Sequence, residues 1–261
     1  MAADCYQVLT AVCALPRGPD QLLSRGAVPA LCQAVEQNQT FSHERGLALL
    51  GCLLSGKTKD RAWSKHPAEL LALLVRLSKD FCQSKDQARL DMCSQLVQFL
   101  PPVGVEVESE ELKGVVSRVW GVLRPMMQSK LTPRQIGPIL VLSACLLDLY
   151  GWELVGPPKF CCLLVNRACV EVRMGLEEPP GNELSPELQH TLTGSLLVVI
   201  TTSAYFDQFT ILQSSSHHNS LYILCGSLVG FFFLRKIECD SEAVNQFTWN
   251  SWVLILQINT S

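Results

Sequence analysis

The chain has 261 residues, 48 % of them apolar, and a formal charge of −3. That supply of apolar side chains suits a large buried core or a row of packed repeats, and the absence of a basic stripe argues against nucleic acid as the main partner. The opening Met1-Ala2-Ala3-Asp4 has no basic region leading into an apolar run, so the sequence predicts no signal peptide and a reducing compartment.

Residues 5–35 predict three helices. Tyr6, Val8, Leu9 and Val12 form an apolar stripe at helical spacing, and Pro16 and Gly18 stop that first helix. A short second helix carries Leu22 and Leu23 and ends at Gly26. Ala27-Val28-Pro29 then turns into a third helix bearing Leu31, Ala34 and Val35. Proline fits there because the first turn of a helix has spare amide donors. The whole reads as one armadillo-type unit. Such a unit cannot bury its own apolar face and implies neighbours on both sides.

The helical pattern continues. Leu47, Leu50, Gly51 and Leu54 share a face, Pro67 opens a helix with Leu70, Leu74, Leu77 and Phe81 on one side, and Cys93, Leu96, Val97 and Leu100 follow after Ser84. Pro101-Pro102 ends that helix, and residues 103–108 read as an acidic linker. Ser109 is placed to cap a helix whose first turn holds Glu110 and Glu111 and whose apolar face is Leu112, Val115, Val116, Val119, Trp120 and Leu123. Thr132-Pro133-Arg134-Gln135 has the form of a capping box, opening a helix that runs to Tyr150 with a kink expected at Gly137-Pro138. Gly151 and Pro157-Pro158 separate it from residues 160–178, a helix apolar on most sides and therefore expected at the centre of the stack. Ser185-Pro186-Glu187 starts one more helix. No alternating strand pattern occurs up to residue 194, so the fold class is all-α, an armadillo-like α-solenoid over residues 1–194, with a compact helical bundle as the structural rival.

Chemistry is sought and not found. The twelve cysteines contain no Cys-x-x-Cys pair, His43, His66 and His190 stand alone, and most of the first ten cysteines fall on or beside apolar stripes. They are expected to be reduced, buried and structural, without metal. Glu106, Glu108, Glu110 and Glu111 cluster but lack the alternating oxygen ligands and central glycine of a calcium loop. No phosphate-binding glycine loop, nucleophile elbow or zinc-protease motif is present. The sequence therefore predicts no catalytic, cofactor-binding or metal residues, no cofactor, and no enzyme.

Several segments resemble the neurochondrin family in order and nearly without gaps. They are residues 4–12, Pro16-Arg17-Gly18-Pro19, residues 28–34, Phe99-Leu100-Pro101-Pro102 and residues 163–173. The resemblance implies a leucine-rich, all-helical, non-enzymatic scaffold of the cytoplasm, in neuronal cell bodies and dendrites. It further implies links to neurite outgrowth and synaptic plasticity, and negative regulation of calcium/calmodulin-dependent protein kinase II. The implied partners are that kinase and receptor cytoplasmic tails. Met1 aligns with an interior methionine of the family, so the N-terminal repeats are expected to be missing. A truncated form with little independent function is the alternative.

The resemblance is expected to stop at Thr193-Gly194. All fourteen prolines precede residue 195, whereas residues 195–261 hold ten of the nineteen aromatics and six charged residues. This change of character predicts an alternative or read-through tail that completes no further repeat. The tail's rival reading is a membrane contact at Ser220–Leu234. That run of about 15 residues is shorter than the roughly 20 that a spanning helix needs.

Overall fold

The structure is a computed structural model that describes residues 2–37, 40–102, 104, 109–177, 189, 191–199 and 201. Every regular element among them is an α-helix, as the sequence predicts. The first unit is α1 (Ala2–Cys13), α2 (Gly18–Ser24) and α3 (Ala27–Glu36). The second is α4 (Thr40–Leu53), α5 (Lys57–Lys65) and α6 (Pro67–Gln83). Four long helices follow: α7 (Asp86–Phe99), α8 (Glu110–Gln128), α9 (Pro133–Tyr150) and α10 (Pro158–Glu177). Residues 191–199 are helical as well.

The predicted caps are in place. Ser109 accepts a hydrogen bond from the Leu112 amide at 3.1 Å, and Gln135 Oε1 accepts one from the Thr132 amide at 2.9 Å. Each satisfies an amide that the first helical turn leaves without an internal partner. Gly26 takes a left-handed φ of 76° between α2 and α3, the conformation glycine adopts without a Cβ penalty. Gly18 does not stop α1. It starts α2 and lies so close to α1 that a Cβ there would collide with the Val12 carbonyl.

The helices stack in two rows. One row runs α1, α4, α7, α9, and the other α3, α6, α8, α10, with α3 on α4, α6 on α7 and α8 on α9 across the rows. The short helices α2 and α5 pack on each other beside them. Trp63, Phe81, Phe99 and Trp120 are each at most 2 % exposed and anchor successive layers. The Trp120 and Phe160 rings meet edge to face at 6.2 Å, joining α8 to α10. Such a pairing adds about 0.5–1.5 kcal/mol beyond the area it buries.

Basic side chains tie the ends of the helices together. Arg76 of α6 donates to the Val35 carbonyl at the end of α3, at 3.1 Å. Arg167 of α10 donates to the Ser129 carbonyl that caps α8, at 3.1 Å. Lys59 of α5 donates to the Val97 carbonyl near the end of α7, at 3.2 Å. A cation at a helix C-terminus satisfies a spare carbonyl and complements the dipole.

The structure corrects several expectations. The sequence does not predict helix α5, whose nine residues include only two apolar ones, Ala62 and Trp63; both are fully buried and hold it in place. Val8 is 62 % exposed, so the face of α1 is the half-buried set Tyr6, Leu9 and Val12. Helix α4 buries Leu49 and Leu53 in addition to Leu47 and Leu50, because it packs against both α3 and α7. Helix α10 is not at the centre of the stack: Val170 is 43 % and Met174 52 % exposed, and among its described side chains Phe160, Leu164, Val165, Ala168 and Val172 are buried.

The boundary after Gly194 falls inside a helix. Ser195 and Val198 are completely buried, and Gly194 sits on Val141 of α9 so tightly that a Cβ would lie 2.8 Å from its amide nitrogen. The expectation that the tail separates at Ser195 therefore fails for residues 195–199, whose helix continues the α9 row. Most of the acidic linker, the start at Ser185-Pro186-Glu187 and Ser220–Leu234 lie outside the described residues. Among the described residues no helix is long and apolar enough to cross a membrane.

Gly194→Leu is expected to lower stability by about 1–3 kcal/mol in urea unfolding, since the side chain must displace α9 backbone. Leu197→Ala, at a site 38 % exposed, is expected to shift the midpoint far less. An unchanged midpoint for Gly194→Leu would show that residues 191–199 are not seated on α9.

Candidate protein-binding groove

Where α4 and α7 lie side by side above α6, their side chains leave a groove of ≈ 330 Å³. Helical spacing explains which residues line it. From α4 come His43, Glu44, Leu47 and Ala48, which recur on one face one turn apart. Leu77 and Asp80 rise from α6, and Met92, Gln95, Gln98 and Phe99 close the α7 side. Leu47, Leu77 and Phe99 form a buried apolar floor. Glu44 and Gln98 are exposed at the rim, with Asp80, Met92 and Gln95 half-buried.

The walls are fixed from outside the groove. The Val35 carbonyl accepts from Arg76 and lies 3.3 Å from His43 Nδ1, which donates to it in the Nδ1–H tautomer. At the other end the Gln98 side chain reaches from α7 to α4, where a Cβ on Gly51 would stand 2.7 Å from its Oε1. The lining includes two carboxylates and neither lysine nor arginine. The groove offers apolar contact and hydrogen-bond acceptors, which is the equipment of a binding surface.

The sequence predicts no binding residues, and its periodicity puts Leu47 and Leu77 on core faces and leaves His43 alone. Those assignments hold for the two leucines as buried side chains, yet nothing in the periodicity of α4 or α7 shows that the helices part between them. Among the described residues no group of three histidine, cysteine or acidic side chains could hold a metal ion.

The neurochondrin family model matches residues 1–221. Neurochondrin of Gallus gallus is 39 % identical over 257 residues, covering 96 % of this chain and 36 % of its own length. Neurochondrin of Rattus norvegicus is 40 % identical over 193 residues, covering 72 % of this chain and 25 % of its own. The neurochondrin homolog of Drosophila melanogaster is 25 % identical over 183 residues, 68 % of this chain and 25 % of its own. The chain thus spans about a third or less of these relatives. Similarity does not stop at Thr193-Gly194, because the family match continues to residue 221. No solved structure matches the chain.

The ten cysteines of the described residues are free thiols, but only Cys32 and Cys93 are fully buried, and Cys5, Cys52 and Cys162 are exposed. The expectation that most of these cysteines are buried is corrected accordingly: Cys5, Cys52 and Cys162 sit on the outer side of their helices. Burial pushes Cys32 up to about 12, with Glu69 and Glu36 adding to the effect. Burial likewise pushes Cys93 up to about 12, against a smaller opposing pull from Arg89. Lys59 is shifted down, chiefly by burial, and Asp148 up for the same reason, partly opposed by a hydrogen bond with Thr201.

Cys32 and Cys93 hold their protons more tightly folded than at the ordinary thiol value of 9.0. Their contribution to stability is complete below pH 9 and is lost as pH rises from 9 towards about 12. Lys59 acts in the opposite sense, because its folded state releases its proton more readily. Urea unfolding across pH 8 to 10.5 is therefore expected to show a shallower alkaline loss in a Cys32→Ala/Cys93→Ala chain than in the parent. At neutral pH a maleimide is expected to modify Cys5, Cys52 and Cys162 before Cys32 or Cys93. Equal labelling rates at buried and exposed sites would contradict the packing of α3 and α7.

Proposed function

Because the chain belongs to the neurochondrin family, we propose that it is a non-enzymatic scaffold of armadillo-like helical repeats. The observation that carries this reading is the recurrence of a long, a short and a long helix in α1–α3 and again in α4–α6, continued as two helix rows. A stacked array of this kind exposes extended surface on each repeat and has no single enclosed pocket. Its mechanism is occupancy: helices hold a partner segment and withhold it from other interactions.

By resemblance, the partners are calcium/calmodulin-dependent protein kinase II, which the scaffold restrains, and cytoplasmic tails of receptors. The setting is the cytoplasm of neuronal cell bodies and dendrites, and the outcome is support of neurite outgrowth and synaptic plasticity. Stacked repeats suit this role because partner surfaces change without disturbing the buried rows that hold the array together.

Purified kinase mixed with the 261-residue chain is expected to be captured saturably and to lose activity as the chain is added. Capture by a longer relative but not by this chain would place the kinase site outside these residues.

A further inference from the structure

We propose that the groove between α4, α6 and α7 docks a cationic amphipathic helical segment of a partner protein. Its apolar side chains would rest on Ala48, Met92 and the edge of Leu47, above buried Leu77 and Phe99, and its lysines or arginines would face Glu44 and Asp80. This assignment rests on the scaffold reading and adds the chemistry of the partner segment.

Charge selects the occupant. Both ionised side chains on the rim are acidic, Glu44 on the α4 side and Asp80 on the α6 side, and no lysine or arginine lines the groove. An acidic or phosphorylated segment would bring like charge against them, whereas a cationic one gains attraction from each wall. The floor contributes the second requirement. Exposed Ala48, half-buried Met92 and the edge of Leu47 give apolar contact above buried Leu77 and Phe99, flanked by amides of Gln95 and Gln98, so the segment must be apolar on one side and polar on the other.

Shape selects its conformation. A volume of ≈ 330 Å³ lies at the small end of the range of ligand pockets. It admits one or two large side chains, which is what a helix presents at i and i+3 or i+4. The walls are helices whose amides are used internally, so they offer no open strand edge for an extended peptide to pair with. Met92 on the α7 wall is half-buried and unbranched, and methionine adapts its side chain to ligands of differing apolar profile.

The test uses the whole chain and a fluorescent synthetic helix of about 14 residues, with leucine at i, i+3, i+4 and i+7 and lysine elsewhere. A second peptide carries glutamate at the lysine positions. Saturable binding of the lysine peptide is expected, with the glutamate peptide about tenfold weaker or worse. Glu44→Lys/Asp80→Lys is expected to weaken the lysine peptide about tenfold. Glu110→Lys/Glu153→Lys makes the same change in net charge at exposed sites elsewhere and is expected to leave affinity within about twofold. Far-UV circular dichroism checks that both variants remain helical. Equal losses in the two variants, equal binding of the two peptides, or no saturable binding would each overturn the assignment. Kinase capture is measured on the same proteins. Capture without peptide binding overturns the groove alone. Peptide binding without capture overturns the kinase partner and leaves the groove assignment standing.

Discussion

The long helices among the described residues depend on burying their apolar faces against neighbours in their own row and in the facing row. No one helix or three-helix unit encloses a core, so the stability of a layer is borrowed from its neighbours. The fully buried Trp63, Phe81, Phe99 and Trp120 mark where successive layers close on each other. Everything else follows from that dependence. The rows must continue in register, short helices such as α2 and α5 must cover the side, and apolar side chains must remain exposed wherever a row has an open flank, as at Val8, Val170 and Met174.

The polar connections serve the same arrangement. A stack of helices brings many helix C-termini close to the sides of their neighbours, each with carbonyls that lack internal partners. Arg76, Arg167 and Lys59 reach across to those carbonyls. Arg118 of α8 donates to Ser78 of α6 at 2.6 Å in a comparable link between consecutive helices of one row. These bonds set the offset of one helix against the next, whereas apolar contact alone would tolerate sliding. The Arg61–Asp20 pair between α5 and α2 is about half exposed on both sides and contributes little by comparison.

The groove is a consequence of the same geometry. Helices α4 and α7 are neighbours in one row, and α6 lies beneath them in the other. The Gln98 side chain reaches Gly51 at one end, while the Val35 carbonyl holds His43 and Arg76 at the other. A binding surface formed in this way needs no special loop or strained backbone. Its identity rests on rim residues such as Glu44 and Asp80, which the packing leaves free to vary in charge.

Much of the fold was legible in the residues themselves. The stripe Leu112, Val115, Val116, Val119, Trp120, Leu123 recurs at helical spacing and is completely buried, and Ser109 and the Thr132–Gln135 pair mark helix starts by the hydrogen bonds their side chains make. These signals are local: period and capping act within one or two turns, so they survive without knowledge of neighbours. What lies on both sides of a helix is not local. Only the tertiary structure showed that α4 buries two faces, that α10 keeps one in solvent, that polar α5 is anchored by Trp63, and that the helix crossing residue 194 seats Gly194 on Val141. The groove belongs to the same class. The sequence by itself determined most of the helices, several of their caps and the family; the tertiary structure decided which faces meet, because that depends on helix offsets set by contacts between residues distant in the chain.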